Sequence, residues 1–215
     1  MSSETDARFW DRGAEKYSKS PVSDQAGYER TLDKTRSLLA LDNHVLELGC
    51  GTGSTAVHLA PSVQSYLGTD ISSKMIEIAN AKTTGGATIP GLIFRMATAE
   101  SIASEPSRFA AVLAFNYLHL VRDLPGTLRS IYTLLMPGGL FISKTPCLGD
   151  MNVLVSFVVL PAMRAVGLAP YAGVFTAKEL QQQISAAGFE IVTTEYHASG
   201  KSDTRPYIVA KKKAI

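Results

Sequence analysis

The stretch Val45-Leu46-Glu47-Leu48-Gly49-Cys50-Gly51-Thr52-Gly53-Ser54 leaves this chain few ways to fold. A short apolar run carries an acid, glycines follow at alternate positions, and Ser54-Thr55-Ala56-Val57-His58-Leu59 continues at helical spacing. That order describes a buried strand turning sharply into a helix, with bare backbone at the bend. Glycine takes positive φ there and lets a ligand approach without a Cβ. The spacing separates this bend from two other glycine loops. A Walker-type phosphate loop would close on Gly-Lys-Ser/Thr, which is missing. The dinucleotide fingerprint wants a further glycine where Ser54 stands. Glu47, just before the first glycine, would repel a pyrophosphate and suits a ligand carrying an ammonium. A tight strand–helix turn without a ligand is the plain alternative.

A second anchor follows. Ser65-Tyr66-Leu67-Gly68-Thr69-Asp70 reads as a strand ending in an acid, and Ile71 to Ala79 continues as a helix. An acid at the tip of the second strand of a βαβ unit is placed to accept both hydroxyls of a ribose. Glu47-Leu48-Gly49-Cys50-Gly51-Thr52-Gly53, with Gly68-Thr69-Asp70-Ile71-Ser72 and Met75, resembles the first two motifs of the class I S-adenosylmethionine-dependent methyltransferases. The likeness is to the small-molecule branch that includes quinone-biosynthesis enzymes. It implies an α/β, Rossmann-like, doubly wound sheet of seven strands, mostly parallel with an antiparallel carboxyl-terminal hairpin. It also implies S-adenosyl-L-methionine as cofactor and methyl transfer to a small, apolar acceptor.

The remaining segments fit that layout. Gly91-Leu92-Ile93-Phe94-Arg95-Met96 reads as a third strand, followed by Ala97-Thr98-Ala99-Glu100. Family members commonly have Gly-Asp-Ala-Glu there, with the acid on the adenine amino group. Here the Thr98 hydroxyl or the Ala99 amide takes that place by resemblance. Phe109 to Leu120 is a fourth strand and its loop, in which Phe115-Asn116-Tyr117-Leu118-His119 matches the family's segment while Ala110 replaces its usual acid. Leu124 to Leu135 has helical periodicity, and Met136-Pro137-Gly138-Gly139 turns into a fifth strand. Thr176-Ala177-Lys178-Glu179 is a capping box, and Gly188 stops the helix it starts. Phe189–Tyr196 and Arg205–Ala210 read as a hairpin with a long connection.

By resemblance, the cofactor contacts fall on Tyr17, Glu47, Gly49, Cys50, Gly51, Gly53, Asp70, Ile71, Met75, Thr98, Ala99, Phe115 and Asn116. His119, just past the fourth strand, is the candidate general base, since its side chain titrates near neutral pH. A packed histidine orienting a loop is the plain alternative. His44 and His58 belong to the far edge, and His197 is expected to be exposed at the end of strand six.

Residues 1–42 form an amino-terminal arm, with residues 1–20 mixed and polar and an amphipathic helix from Gln25 to Leu41; residues 43–215 form the methyltransferase domain. The apolar run from Met151 to Leu160, ending at Pro161 with Arg164 beyond, marks an apolar cap insertion at about 150–175. A surface helix touching lipid is its alternative.

Composition narrows the classes. At 215 residues the chain suits one domain. A net charge of +2 points to no nucleic-acid partner. Two cysteines make no disulfide framework, and no signal peptide, membrane span or metal-ligand spacing is evident, so a cytoplasmic, metal-free protein is expected. Two other functions compete with methyl transfer. One is a nicotinamide-dependent oxidoreductase, which Ser54 and Glu47 disfavour. The other is a non-catalytic module that binds S-adenosylmethionine, which Ala110 and Thr98 keep open. The oligomeric state is not legible.

Overall fold

Strands with apolar side chains on both faces require helices on both sides of the sheet. The computed structural model, which describes residues 3–84, 88–151, 162–163, 169–200 and 203–213, has that architecture. Its elements run α1 (Ser3–Lys19), α2 (Gln25–Leu38), β1 (His44–Leu48), α3 (Ser54–Leu59), β2 (Ser65–Asp70), α4 (Ser73–Thr84) and β3 (Leu92–Met96). Then come α5 (Ala99–Ala103), β4 (Phe109–Phe115), α6 (Leu124–Leu134), β5 (Leu135–Lys144), α7 (Ala177–Ala186), β6 (Phe189–Glu195) and β7 (Tyr207–Lys212). The strand order is β3-β2-β1-β4-β5-β7-β6. The first five strands pair in parallel, and β7 lies antiparallel between β5 and β6.

Side chains alternate along each strand, dividing the core in two. Leu46, Val112, Ala114, Phe141, Ile208 and Ala210 pack with Ile102, Leu128, Ile131 and Leu180 of α5, α6 and α7. Val45, Leu113, Ile142, Tyr207 and Val209 pack on the other face with Leu32, Leu59, Ile76 and Ala79 of α2, α3 and α4. Each large side chain so buried contributes about 1.5–3 kcal/mol. The order reverses between β1 and β4, and a crevice opens beyond their carboxyl ends, where open α/β sheets bind ligands.

Four details differ from the sequence reading. The polar stretch at the start is a helix: α1 buries Ala14 completely and lies against α4. Its Asp11 carboxylate accepts from Ser72 Oγ at 2.7 Å and Lys74 N at 3.1 Å, serving the start of α4 from another helix. The α2 helix stops at Leu38, because Leu39 is extended. Helix α4 runs on past Ala79 through Thr83 and Thr84, whose hydroxyls donate back to the Asn80 carbonyl; Gly85 to Ala87 lie outside the described residues. His197 is buried at 6% exposure rather than exposed. The β6–β7 connection folds back on α2, where Arg30 donates twice to the His197 carbonyl and the imidazole stacks on Tyr207 at 4.5 Å.

The Pro137-Gly138-Gly139 turn is taken up within β5. Phe109 pairs with Leu135 but Ala111 with Leu140, and Gly138 takes φ 77°. The capping box forms as expected, with Thr176 Oγ1 accepting from Glu179 N and Glu179 Oε2 from Thr176 N. Most of the apolar run, with Pro161 and Arg164, lies outside the described residues. Among those described, no helix is long and apolar enough to cross a membrane, and no group of three or more potential ligands could hold a metal ion.

Candidate active site

The bend between β1 and α3 carries three glycines at φ 66°, 53° and 75°. Two of them serve different ends. A Cβ added to Gly51 would meet nothing nearer than Tyr17 Cε1 at 3.7 Å, so its backbone is bare toward open space. A Cβ on Gly53 would sit 2.6 Å from Phe94 Cζ. Gly53 therefore lets the loop settle on β3 and lines neither of the two cavities at this bend. Cys50 N donates to the Thr69 carbonyl at 2.9 Å, tying the bend to the tip of β2.

Asp70 ends β2 beside this bend. Its Oδ2 accepts from Gly51 N at 3.0 Å and its Oδ1 from Ser72 N at 2.9 Å. The Ile71 amide also acts on this carboxylate, which faces the cavity with acceptor capacity left. Burial pushes the Asp70 carboxyl upward, against the pull of these backbone amides.

A cavity of about 530 Å³ opens over the strand ends. Its floor includes Gly49, Gly51, Asp70, Ile71, Met75 and Thr98, with Phe115 and Asn116 from the end of β4. Ala97 also reaches it, whereas Ala99 is fully buried and does not line it. Thr98 caps α5, its hydroxyl accepting from Ser101 N at 3.2 Å, while its O–H proton remains available. Asn116 takes φ 51°, unlike any other non-glycine described, and its N–H is held by the Lys144 carbonyl at 2.7 Å. Asparagine tolerates this left-handed conformation better than most residues.

The far wall is aromatic and proline-rich, with Trp10, Tyr117, Pro146, Pro170 and Tyr171. His119 lines it from a 3₁₀ turn, its Nδ1 2.8 Å from Thr145 Oγ1. Among the described residues nothing bonds its Nε2. Burial pulls the imidazole down to about 4, so it is neutral at physiological pH. Arg122 donates to both Asp6 oxygens at 2.8 Å and covers the Tyr171 ring at 4.5 Å, joining α1 to the rim.

A second cavity, of about 320 Å³, lies behind the bend. It shares Tyr17, Gly49, Gly51, Phe115 and Asn116 with the first and adds Glu47, Cys50 and Lys144. Glu47 is 2% exposed, accepts from the Tyr66 hydroxyl at 2.9 Å, and is pushed up from 4.5 to about 8 by burial. Between those values the folded protein keeps a proton that the unfolded chain has released. Stability contributed by Glu47 is therefore present near pH 4.5 and is lost as the pH rises toward 8. Denaturant unfolding from pH 5 to 8 should show that fall, and Glu47→Gln should flatten it; an identical slope in the variant counts against the assignment.

The structure thus brings together most of the residues picked from the sequence. Glu47 and Cys50 reach only the second cavity, and Gly53 and Ala99 reach neither. Asp6, Trp10, Arg122 and Tyr171 were not picked, and no local motif marks them. Lys144 was missed despite a signal, a lone cation closing the apolar run Leu140-Phe141-Ile142-Ser143.

A family profile described as a methyltransferase domain matches residues 23–194. The mitochondrial arginine-hydroxylase NDUFAF5 of Danio rerio is 33% identical over 173 residues, covering 78% of this chain and 50% of that protein. A ubiquinone biosynthesis O-methyltransferase of Methylocella silvestris is 32% identical over 128 residues, 59% of this chain and 48% of that protein. The chain spans about half the length of these relatives. Among solved structures, the magnesium protoporphyrin IX methyltransferase of Synechocystis PCC 6803, with bound S-adenosylhomocysteine, superposes with TM-score 0.70 over 97% of this chain and 96% of that one, at 18% identity. At that identity the likeness speaks for the fold. The family match decides against the nicotinamide reading. With the profile covering most of its length and its sheet in the order β3-β2-β1-β4-β5-β7-β6, the chain belongs to the methyltransferase domain family, in the fold of the class I S-adenosylmethionine-dependent enzymes.

Proposed function

We propose that this chain methylates a hydroxyl group on a small, apolar acceptor, using S-adenosylmethionine. One observation carries the reading: a single cavity runs from the bare Gly51 backbone and the Asp70 carboxylate to an aromatic wall that holds His119. The residues fit the cofactor. Asp70 lines the cavity with its carboxylate, an acceptor that ribose hydroxyls require, and Ile71 and Met75 offer apolar surface to a purine. Tyr17 closes over Gly51. When bound, S-adenosylmethionine supplies both the methyl group and its leaving group.

The protein's own task is then alignment and handling one proton. Trp10, Tyr117 and Tyr171 hold a flat apolar acceptor. His119, with Nδ1–H donating to Thr145 Oγ1, presents Nε2 to the acceptor hydroxyl. A relative that is a ubiquinone biosynthesis O-methyltransferase supports the choice of a hydroxyl. Residues 1–42 act as an arm across the crevice: α1 reaches the rim through Asp6 and the start of α4 through Asp11. Pro170 and Tyr171, at the end of the apolar insertion, line the acceptor side, which favours a cap over a lipid-facing helix.

Calorimetry with S-adenosylhomocysteine, followed by transfer of labelled methyl into phenols, amines, thiols and lipids, tests the proposal. Binding with label in the phenols is expected. No binding at millimolar ligand would sink it, and binding without transfer to any class would favour the non-catalytic module.

A further inference from the structure

Arg122 stands in the loop after β4, between the His119 turn and Asp123, whose side chain caps α6. Its Nε and Nη2 donate to the two Asp6 oxygens, each at 2.8 Å, a two-pronged and charge-assisted grip between this loop and α1. The Asp6 side chain is 14% exposed, so the pair is partly shielded from screening by salt. The same guanidinium covers the Tyr171 ring at 4.5 Å. Two residues past that ring, Gly173 N donates to the His119 carbonyl at 2.7 Å. Around one arginine, then, meet three segments distant in sequence: the start of α1, the turn that carries His119, and the stretch that carries Tyr171.

Asp6 and Trp10 lie one turn apart on α1 and share a face. Both line the first cavity, as Tyr171 and His119 do. Trp10 sits between two anchors of the helix. Asp11, beside it, accepts from Ser72 Oγ and Lys74 N of the α4 start, and Asp6, ahead of it, is held by Arg122. A guanidinium suits the second anchor because it can grip a carboxylate with two N–H groups and lie over an aromatic ring at once, which an ammonium cannot.

We infer that Arg122 is a positioning residue for the choice of acceptor: clasped by Asp6 and covering Tyr171, it fixes the Trp10 and Tyr171 rings relative to His119, so that this end of the cavity accepts a small flat ring and penalises a bulkier one. The inference rests on the acceptor placement proposed above.

Trp10 is the chain's one tryptophan, so its emission reports on this wall alone. Arg122→Gln and Asp6→Asn should each shift that emission to the red and ease its quenching by acrylamide. The double variant should do no more than either single one, since both remove the same contact. Arg122→Lys keeps the charge without the fork or the flat stack and should resemble Arg122→Gln. Methyl transfer is then measured on phenol, 2-naphthol and 4-phenylphenol. In Arg122→Gln the preference for phenol over 4-phenylphenol should narrow by roughly tenfold, the lower end of what an apolar wall achieves by size. The change should fall on KM more than on kcat, because the His119–Thr145 contact is untouched. Affinity for S-adenosylhomocysteine should stay unchanged, since neither Asp6 nor Arg122 bonds Asp70 or the glycine bend among the described residues; it also shows that the variants are folded.

Trp10 emission unmoved by either substitution, or changes that add in the double variant, would overturn the clasp and leave the proposed function standing. So would an unaltered chain without preference among the phenols, or a preference that survives Arg122→Gln. A parallel loss of S-adenosylhomocysteine affinity would also overturn it, by showing that the whole arm had come loose. Failure of the unaltered chain to methylate any of the three phenols would overturn it together with the proposed function.

Discussion

His119→Ala is expected to lower turnover of a hydroxyl acceptor by roughly 10²–10⁴-fold, the usual contribution of a positioned general base. Affinity for S-adenosylhomocysteine should stay unchanged, because the His119 ring is tied to Thr145 and makes no hydrogen bond to Asp70 or the glycine bend among the described residues. The pH profile distinguishes a base from a packing residue. Burial holds the imidazole near 4, so it stays unprotonated from about pH 5 upward. The acid limb of kcat/KM should therefore fall near pH 4 instead of the 6.5 of an ordinary histidine, and the variant should lose that limb. Thr145→Val, which removes the partner of Nδ1, should reduce kcat and spare KM, since it acts only through the orientation of the ring. Steady-state kinetics from pH 4 to 8 measures all of this. A limb near pH 6.5, or a variant within threefold of the parent on its best hydroxyl acceptor, would remove His119 from the chemistry.

Asp70→Ala should weaken S-adenosylhomocysteine binding by about 3 kcal/mol, more than a hundredfold. Two effects add. The charge-assisted bonds to both ribose hydroxyls go. The Gly51 and Ser72 amides also lose their acceptor, so the bend and the start of α4 lose the group that holds them in register. Asp70→Asn, which keeps an acceptor oxygen, should lose less. Calorimetry on the three proteins gives the order, and thermal unfolding separates loop loosening from lost ligand contacts. A dissociation constant unchanged in Asp70→Ala would mean that the ribose lies elsewhere.

Much of the fold was legible because its signals are local. The glycine bend, the apolar strands, the Thr176 capping box and the Gly188 stop each need only neighbouring residues to act. The α1 helix was not legible. Ser3–Lys19 is polar over most of its surface and gains its place by burying Ala14 and setting Asp11 against the start of α4. His197 misled for a similar reason. A polar residue after a strand looks solvated until Arg30, Thr31 and Tyr207, distant in sequence, surround it.

The candidate site divides along the same line. Residues at the carboxyl ends of β1, β2 and β4 could be placed from the sequence, since a parallel sheet brings those ends to one edge whatever the loops do. By itself the sequence determined the doubly wound sheet, the glycine bend and the acid at the tip of β2, because strand period and glycine's backbone freedom are properties of short segments. Tertiary structure alone decided that Gly53 serves packing, that Arg122 and Asp6 bridge the rim, and that Lys144 and Glu47 line one cavity unpaired. The desolvation that makes a buried lysine or glutamate informative exists only after distant segments have closed around it.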